Sequence, residues 1–160
     1  KKQHSFSRRI FAKIAFGVCI IASLYVIGTP KQVFAKSEIF KTTFGSVAIN
    51  GTDPVAYFKE GRVREGSKEF THEWKQATWR FSSAAYRDAF AAVLKFAPQF
   101  GGYCAWAVSQ GYTAKIDPEA WTIVEGKLYL NYSKGVQAQW SQDIPGNIAK
   151  GEKNWPMVLK

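Results

Sequence analysis

Cys104 and His72 carry the side chains of this chain that are best suited to chemistry. A thiolate and an imidazole bind copper or another transition metal well, and such a site tolerates a weak third ligand. Asp53 and Met157 supply a carboxylate and a thioether, which are further ligand types. These residues predict a metal or ligand site near Cys104 and His72, with Asp53 and Met157 as additional ligands. Copper or another transition metal is the candidate cofactor.

Other chemistry fits these residues less well. A structural zinc site usually takes four ligands, several of them cysteines, whereas the chain after residue 35 has one cysteine and one histidine. A cysteine-dependent enzyme would pair Cys104 with His72 as its base, but no third orienting residue stands at a recognisable spacing, and no catalytic residue is predicted. The plainest alternative is that Cys104 packs as a small buried apolar residue.

The aromatic residues indicate a different kind of site. The chain has six tryptophans, seven tyrosines and 12 phenylalanines, and most of these large side chains are expected to fill the core. The alternative to a metal is therefore a module for a small apolar or aromatic ligand, or for a protein partner. We predict its pocket between the first β-hairpin and the segment around Cys104. The predicted lining residues are Tyr57, Trp79, Tyr103 and Trp106.

The segment that carries Cys104, residues 98–111, needs an unusual backbone. Gly101 and Gly102 can adopt backbone angles that other residues avoid, and they allow another part of the chain to approach closely. They lack the spacing of a phosphate-binding loop. The apolar residues 103–108 that follow predict a short buried helix or tight turn.

Two β-hairpins are predicted on either side of this segment. Residues 69–82 alternate between apolar and polar side chains, with a turn at residues 75–77. Residues 121–130 form the second hairpin and reverse at the two-residue turn 125–126. The Asp-Pro pair within residues 116–121 predicts a short helical turn. No internal repeat is visible in the sequence.

Capping residues mark the predicted helices. Thr52 or Asp53 caps a helix of one or two turns that has Pro54 at its first position. Ser82 or Ser83 begins a helix that runs to Phe96, and Ser133 begins a later one. The chain is therefore predicted to fold as α+β, a small single domain with two β-hairpins and packed helices.

The positive charge does not predict nucleic-acid binding. The formal net charge is +10, but six of the 22 basic residues and none of the 12 acidic residues lie within residues 1–35. The remaining charges are mixed in sign, as on a solvated surface. No basic run is interleaved with aromatic residues, so no nucleic-acid partner is expected.

Residues 1–35 have the pattern of a signal peptide. A basic start is followed by about fifteen apolar residues, 14–28, which is short for a membrane-spanning helix and typical of an export signal. We expect cleavage after Ala35, which leaves no stable membrane span, and retention of the segment as an anchor is the alternative. Residues 36–46 are then an N-terminal arm or linker, and residues 47–160 form the domain.

Residues 7–13, Ser-Arg-Arg-Ile-Phe-Ala-Lys, resemble the twin-arginine export motif, with Ala12 in place of its leucine. Such a motif is an address that a receptor recognises. The resemblance implies that Arg8 and Arg9 direct the folded protein to the export machinery and to a periplasmic or extracytoplasmic location. An ordinary export signal with two chance arginines is the alternative.

A set of longer motifs after residue 45 occurs together and in order. The set includes residues 53–58, 69–72, 78–83, 97–105 and 116–124. It resembles the long, exported form of the YHS domain family over about residues 45–160.

The resemblance implies an exported small binding domain, with His72 at the histidine position of the family name. Short family members resemble metal modules whose ligands are cysteines. Other residues of this chain stand where that pattern has cysteines: Ala56, Ser82 or Ser83, and Tyr86 or Arg87. The family's thiolate site therefore does not carry over. The predicted function is binding of a metal ion or a small ligand near Cys104 and His72.

Overall fold

The computed structural model describes residues 35–155 and 157–160 of the chain. Residues 1–34, with Arg8, Arg9 and most of the predicted signal peptide, lie outside the described residues. The described part contains helices and two separate two-stranded antiparallel sheets, which confirms the predicted α+β class. Every helix in that part is too short or too polar to span a bilayer.

Five α-helices and four β-strands make up the described domain. In chain order they are α1 Pro54–Lys59, β1 Ser67–Trp74, β2 Ala77–Phe81, α2 Ala84–Ala92, α3 Ala105–Ser109, β3 Asp117–Val124, β4 Lys127–Asn131, α4 Lys134–Trp140 and α5 Ile144–Asn154. Short 3₁₀ turns lie at Ile49–Gly51, Leu94–Phe96, Gln99–Gly102 and Ser141–Asp143.

Three of the predicted helix starts are confirmed by side-chain caps. The Asp53 carboxylate accepts from the N–H groups at the start of α1, and the Ser83 and Ser133 hydroxyls accept from the N–H groups of Tyr86 and Val136. Each cap satisfies a donor that the first helical turn cannot pair internally. Helix α2 ends earlier than predicted, because Val93 has an extended backbone.

The predicted helical turn at residues 116–121 is wrong, because β3 begins at Asp117. The Asp117 carboxylate accepts from the N–H of Glu119 at 2.9 Å. It thus forms a local turn of the kind that aspartate makes outside helices. The turn coincides with a register shift in the pairing of β3 with β4, between Asp117 and Trp121.

The two hairpins and the helices that follow them share one backbone plan. β3 begins 50 positions after β1, at Asp117 against Ser67, and β4 and α4 begin 50 positions after β2 and α2. Both hairpins reverse over two residues, and both have a register shift after their first residue pair. The structure thus contains a repeat that the sequence analysis did not find.

The short helices α1 and α3 extend this repeat. Each follows a 3₁₀ turn, at Ile49–Gly51 and Gln99–Gly102. Helix α1 packs on α2, and α3 packs on α4. We therefore call residues 49–92 the first half and residues 99–140 the second half.

The cores of the two halves are built from equivalent aromatic pairs. In the first half, the Trp79 and Phe90 rings lie 5.0 Å apart with an angle of 32° between their planes. In the second half, Tyr129 and Trp140, each 50 positions later, lie 5.2 Å apart at 33°. All four side chains are buried. The strand-to-helix aromatic contact is therefore the part of the core that the two halves share.

The predicted N-terminal arm, residues 36–46, is attached to the domain. The N–H of Phe40 donates to the carbonyl of Gly101 at 2.9 Å, and the N–H of Lys36 donates to the carbonyl of Leu159 at 2.8 Å. A Cβ atom on Gly101 would lie 1.8 Å from the carbonyl oxygen of Glu38. Only glycine therefore permits this approach of the arm to the Cys104 segment.

Candidate functional site

A cavity of about 270 Å³ lies beside Cys104, between α3 and α4. Its wall is formed by Cys104, Trp106, Ala107, Tyr112, Ala114, Tyr132 and Val136. Aliphatic groups, aromatic rings and one thiol make up this wall, so its surface is largely apolar. We call this cavity the Cys104 pocket.

The thiol of Cys104 is held at the N-terminal end of α3. Its sulfur accepts from the N–H of Ala107 at 3.5 Å and lies 3.8 Å from Oδ1 of Asn131, to which the thiol donates. Burial raises the pKa of the Cys104 thiol, while the nearby N–H groups of Ala107, Tyr132 and Trp106 act in the opposite direction. The thiol is therefore neutral near pH 7 and acts as a soft, weakly polar part of the wall.

Asn131 fixes the position of α3 against the end of β4. Its side chain is fully buried, and Oδ1 accepts from the N–H of Trp106 at 3.1 Å as well as from the Cys104 thiol. The amide oxygen of Asn131 thus binds both the capping thiol and the backbone of the first turn of α3. The N–H of Cys104 also donates to the carbonyl of Ala114 at 3.1 Å, which fixes the following loop.

Two tyrosines stand at the mouth of the Cys104 pocket. Tyr112 is 53% exposed and Tyr132 is 45% exposed, although both rings line the cavity. The ammonium group of Lys115 lies 5.4 Å from the centre of the Tyr132 ring, a cation–π contact at the surface. The pocket therefore opens to solvent between two aromatic side chains.

Asp53, one of the predicted ligands, is already saturated by hydrogen bonds. Its buried carboxylate accepts from the N–H groups of Val55, Ala56 and Ser82 and from the Ser82 hydroxyl, at 2.7 to 3.4 Å. A carboxylate has about four acceptor positions. The role that the structure gives Asp53 is to cap α1 and to tie it to the end of β2.

His72 and Met157 lie in other surroundings. His72 pairs with Trp79 in the first hairpin, and its ring lies 6.0 Å from that of Phe90. Met157 is 61% exposed, and its sulfur accepts from the ammonium group of Lys160 at 3.7 Å. Among the described residues, no three His, Cys, Asp or Glu side chains lie together as metal ligands would.

Of the four predicted lining residues, only Trp106 lines the Cys104 pocket. Trp79 lies in the core of the first half. The Tyr57 hydroxyl donates to the carbonyl of Pro118 at 2.9 Å, and the Tyr103 hydroxyl donates to that of Ser37 at 2.9 Å. These three aromatic residues therefore hold elements of the domain together.

Sequence analysis missed Tyr132 and Val136 as pocket residues, and it missed Asn131 as their support. A signal was present in the chain, because the three lie at the end of β4 and at the start of α4, next to the Ser133 cap. Their proximity to Cys104 depends on the pairing of distant segments. A bridge between Cys104 and Leu130 brings the two segments together.

In comparisons with known proteins, no family model, no curated protein and no solved structure matches the chain. The resemblance to the YHS domain family therefore stays a prediction that rests on the motifs of the sequence.

Proposed function

We propose that this protein is an exported, non-catalytic binding domain of the YHS type, and that it holds a small apolar or aromatic ligand in the Cys104 pocket. The observation that carries this proposal is the cavity of about 270 Å³ with its largely apolar wall. An apolar cavity of about 150 Å³ is large enough to bind benzene. The Cys104 pocket therefore has room for one substituted ring.

The wall favours an aromatic ligand over an aliphatic one. Trp106 and the two mouth residues Tyr112 and Tyr132 present ring surfaces, and aromatic pairs gain stabilisation beyond that from buried area. The Cys104 sulfur adds a polarisable contact of the kind that rings accept well. Binding would also cover the exposed parts of both tyrosines, which removes apolar surface from water.

The state of Cys104 supports binding rather than catalysis. A nucleophilic cysteine needs a lowered pKa or an adjacent base, whereas burial raises the pKa of this thiol. Its side-chain partners are the amide of Asn131 and the N–H of Ala107. A transition metal would find one thiolate here and no cluster of further ligands among the described residues, so the geometry favours a small organic ligand.

A substitution that fills the pocket tests this proposal. We expect toluene and indole to shift the NMR signals of the Trp106 indole and of the Tyr112 and Tyr132 rings in a saturable manner. Val136→Tyr places a ring in the cavity and should weaken binding of both probes by about tenfold or more, because each probe must displace that ring.

Val93→Tyr is the matched control, since Val93 is exposed and directly follows α2, away from the Cys104 pocket. This variant should bind both probes as the unmodified protein does. The proposal is wrong if neither probe binds, or if Val136→Tyr binds them as well as the control does.

A further inference from the structure

The first half contains a polar cluster of four residues, and three of their counterparts in the second half line the Cys104 pocket. In the first half, Tyr86 of α2 donates its hydroxyl to Oε1 of Glu60 at 3.2 Å, at the C-terminal end of α1. The guanidinium groups of Arg62 and Arg64 donate to the same carboxylate at 2.7 and 2.9 Å. A phenol side chain thus bridges the two helices of this half.

From the ends of α1 and α3 onward, the equivalent positions of the second half lie 50 residues later. Val136 stands at the position of Tyr86, Ala114 at that of Arg64, and Tyr112 at that of Arg62. All three of these second-half residues line the Cys104 pocket. The cavity therefore lies where the first half holds the phenol ring of Tyr86 and the arginines around Glu60.

We infer that the ligand of the Cys104 pocket is a phenol, whose ring takes the place that the Tyr86 ring takes in the first half. This inference rests on the proposed function, since it names the chemical class of the same ligand. The shared backbone plan gives the ligand a position between α3 and α4, as Tyr86 lies between α1 and α2.

Gln110 is the residue that would recognise the hydroxyl group. It stands 50 positions after Glu60, at the C-terminal end of α3, and its side chain is exposed. Its amide nitrogen donates to the hydroxyl of Ser109 at 3.0 Å. The amide oxygen is left as an acceptor for a phenol O–H, in the role that Oε1 of Glu60 has toward Tyr86.

A pair of ligands that differ only in the hydroxyl group tests the inference. p-Cresol is the tyrosine side chain as a free molecule, and toluene lacks its hydroxyl. We expect p-cresol to bind the protein about three- to tenfold more tightly than toluene, the range that one hydrogen bond contributes. Affinities are measured by NMR titration of the Trp106 indole signal. Gln110→Met should abolish the preference and leave the affinity for toluene unchanged.

The outcomes separate the ligand class from the proposed function. If toluene binds as tightly as p-cresol and Val136→Tyr weakens both, the pocket binds apolar rings and the phenol inference is overturned. If Gln110→Met keeps the full preference for p-cresol, the inference is overturned as well. If neither compound binds, the proposed function itself fails. A p-cresol preference that Gln110→Met removes supports both.

Discussion

The two halves of the domain place different chemistry on one backbone plan. In the first half the cap of α1 is the carboxylate of Asp53, and the position on α2 that faces α1 carries Tyr86. In the second half the corresponding cap is the thiol of Cys104, and the corresponding helical position carries Val136. The first half bridges its two helices with the side chain of Tyr86, while the second has a cavity between its helices. The first half therefore shows which side chain occupies the space between the helices that is empty in the second half.

The two short helices α1 and α3 are held in place in different ways. Asp53 gathers four hydrogen bonds in a fully buried position. Cys104 makes two long contacts through its sulfur, and the side-chain amide of Asn131 also binds the first turn of α3 through the N–H of Trp106. The strong cap belongs to the half in which Tyr86 bridges the two helices. The weaker cap leaves an apolar group at the wall of the pocket.

The largest effect is expected where the strong cap is removed. Asp53→Ala should lower the free energy of unfolding by about 3 kcal/mol, because it removes a cap and leaves the partly buried donors of Ser82 unpaired. Asp53→Asn keeps an acceptor and should lose clearly less. Urea unfolding followed by tryptophan fluorescence measures both variants. Equal losses for the two would show that the hydrogen bonds of Asp53 are not the reason for its stabilising effect.

A smaller effect is expected when the first half is made to resemble the second. In a Val136→Tyr background, which closes the Cys104 pocket, Tyr86→Val should cost about 1 to 2 kcal/mol through lost ring contacts and the lost hydrogen bond. It should also create a site for p-cresol next to Glu60. Added p-cresol should then raise the melting temperature, because it binds only the folded protein.

Tyr86→Phe in the same background is the control for this variant. It keeps the ring and should show no stabilisation by p-cresol. If p-cresol stabilises Tyr86→Phe as much as Tyr86→Val, the two halves are not equivalent as binding sites.

The weaker cap should be easy to replace. Cys104→Ala should cost about 1 kcal/mol as the loss of a small buried group. Cys104→Ser should cost no more than about 1 kcal/mol, because a hydroxyl can accept from Ala107 and donate to Asn131, as serine caps do elsewhere in this chain. Thermal unfolding in the absence of ligand measures both. A loss of several kcal/mol for the serine variant would mean that the sulfur has a role beyond packing and capping.

The smallest effect is a dependence of the free energy of unfolding on pH, which should come from Glu60 in the first half and have no counterpart in the second. Hydrogen bonds from Arg64 and Arg62 hold the pKa of Glu60 below its usual value of 4.5. A lowered native pKa means that the contribution of Glu60 to stability is complete above the unfolded pKa and is lost as the pH falls through the native one. The free energy of unfolding should therefore fall less steeply below pH 4.5 in Glu60→Gln than in the unmodified protein. Gln110→Glu is a control, since it lacks the flanking arginines.

Local features of the fold were predictable from the sequence. The caps at Asp53, Ser83 and Ser133 act over three or four residues, and the turn at residues 125–126 needs only its own two residues. The Asp-Pro pair at Asp117 was a poor guide to the local structure, because the same aspartate side chain can begin a helix or a turn at the start of a strand.

The repeat and the pocket were not predictable in the same way. The repeat is one of backbone positions, and its equivalent residues, such as Tyr86 and Val136, differ in size and polarity. The pocket is a space left by a small residue, and nothing in the type of Val136 indicates that its neighbours do not fill that space. Cys104 and Trp106 were found because of their own chemistry, whereas Tyr132 was not, because its neighbours come from distant segments.

The hydrogen bond between Lys36 and Leu159 has a consequence for how the domain can be joined to other proteins. The chain enters and leaves the described domain side by side, since these two residues are joined by one bond of 2.8 Å. A domain with adjacent ends can be inserted into a surface loop of a host protein with short linkers, and its ends can be connected to form a circular permutant. The fold therefore suits use as a cassette, in which occupancy of the pocket is read out by reporters fused at one place on its surface.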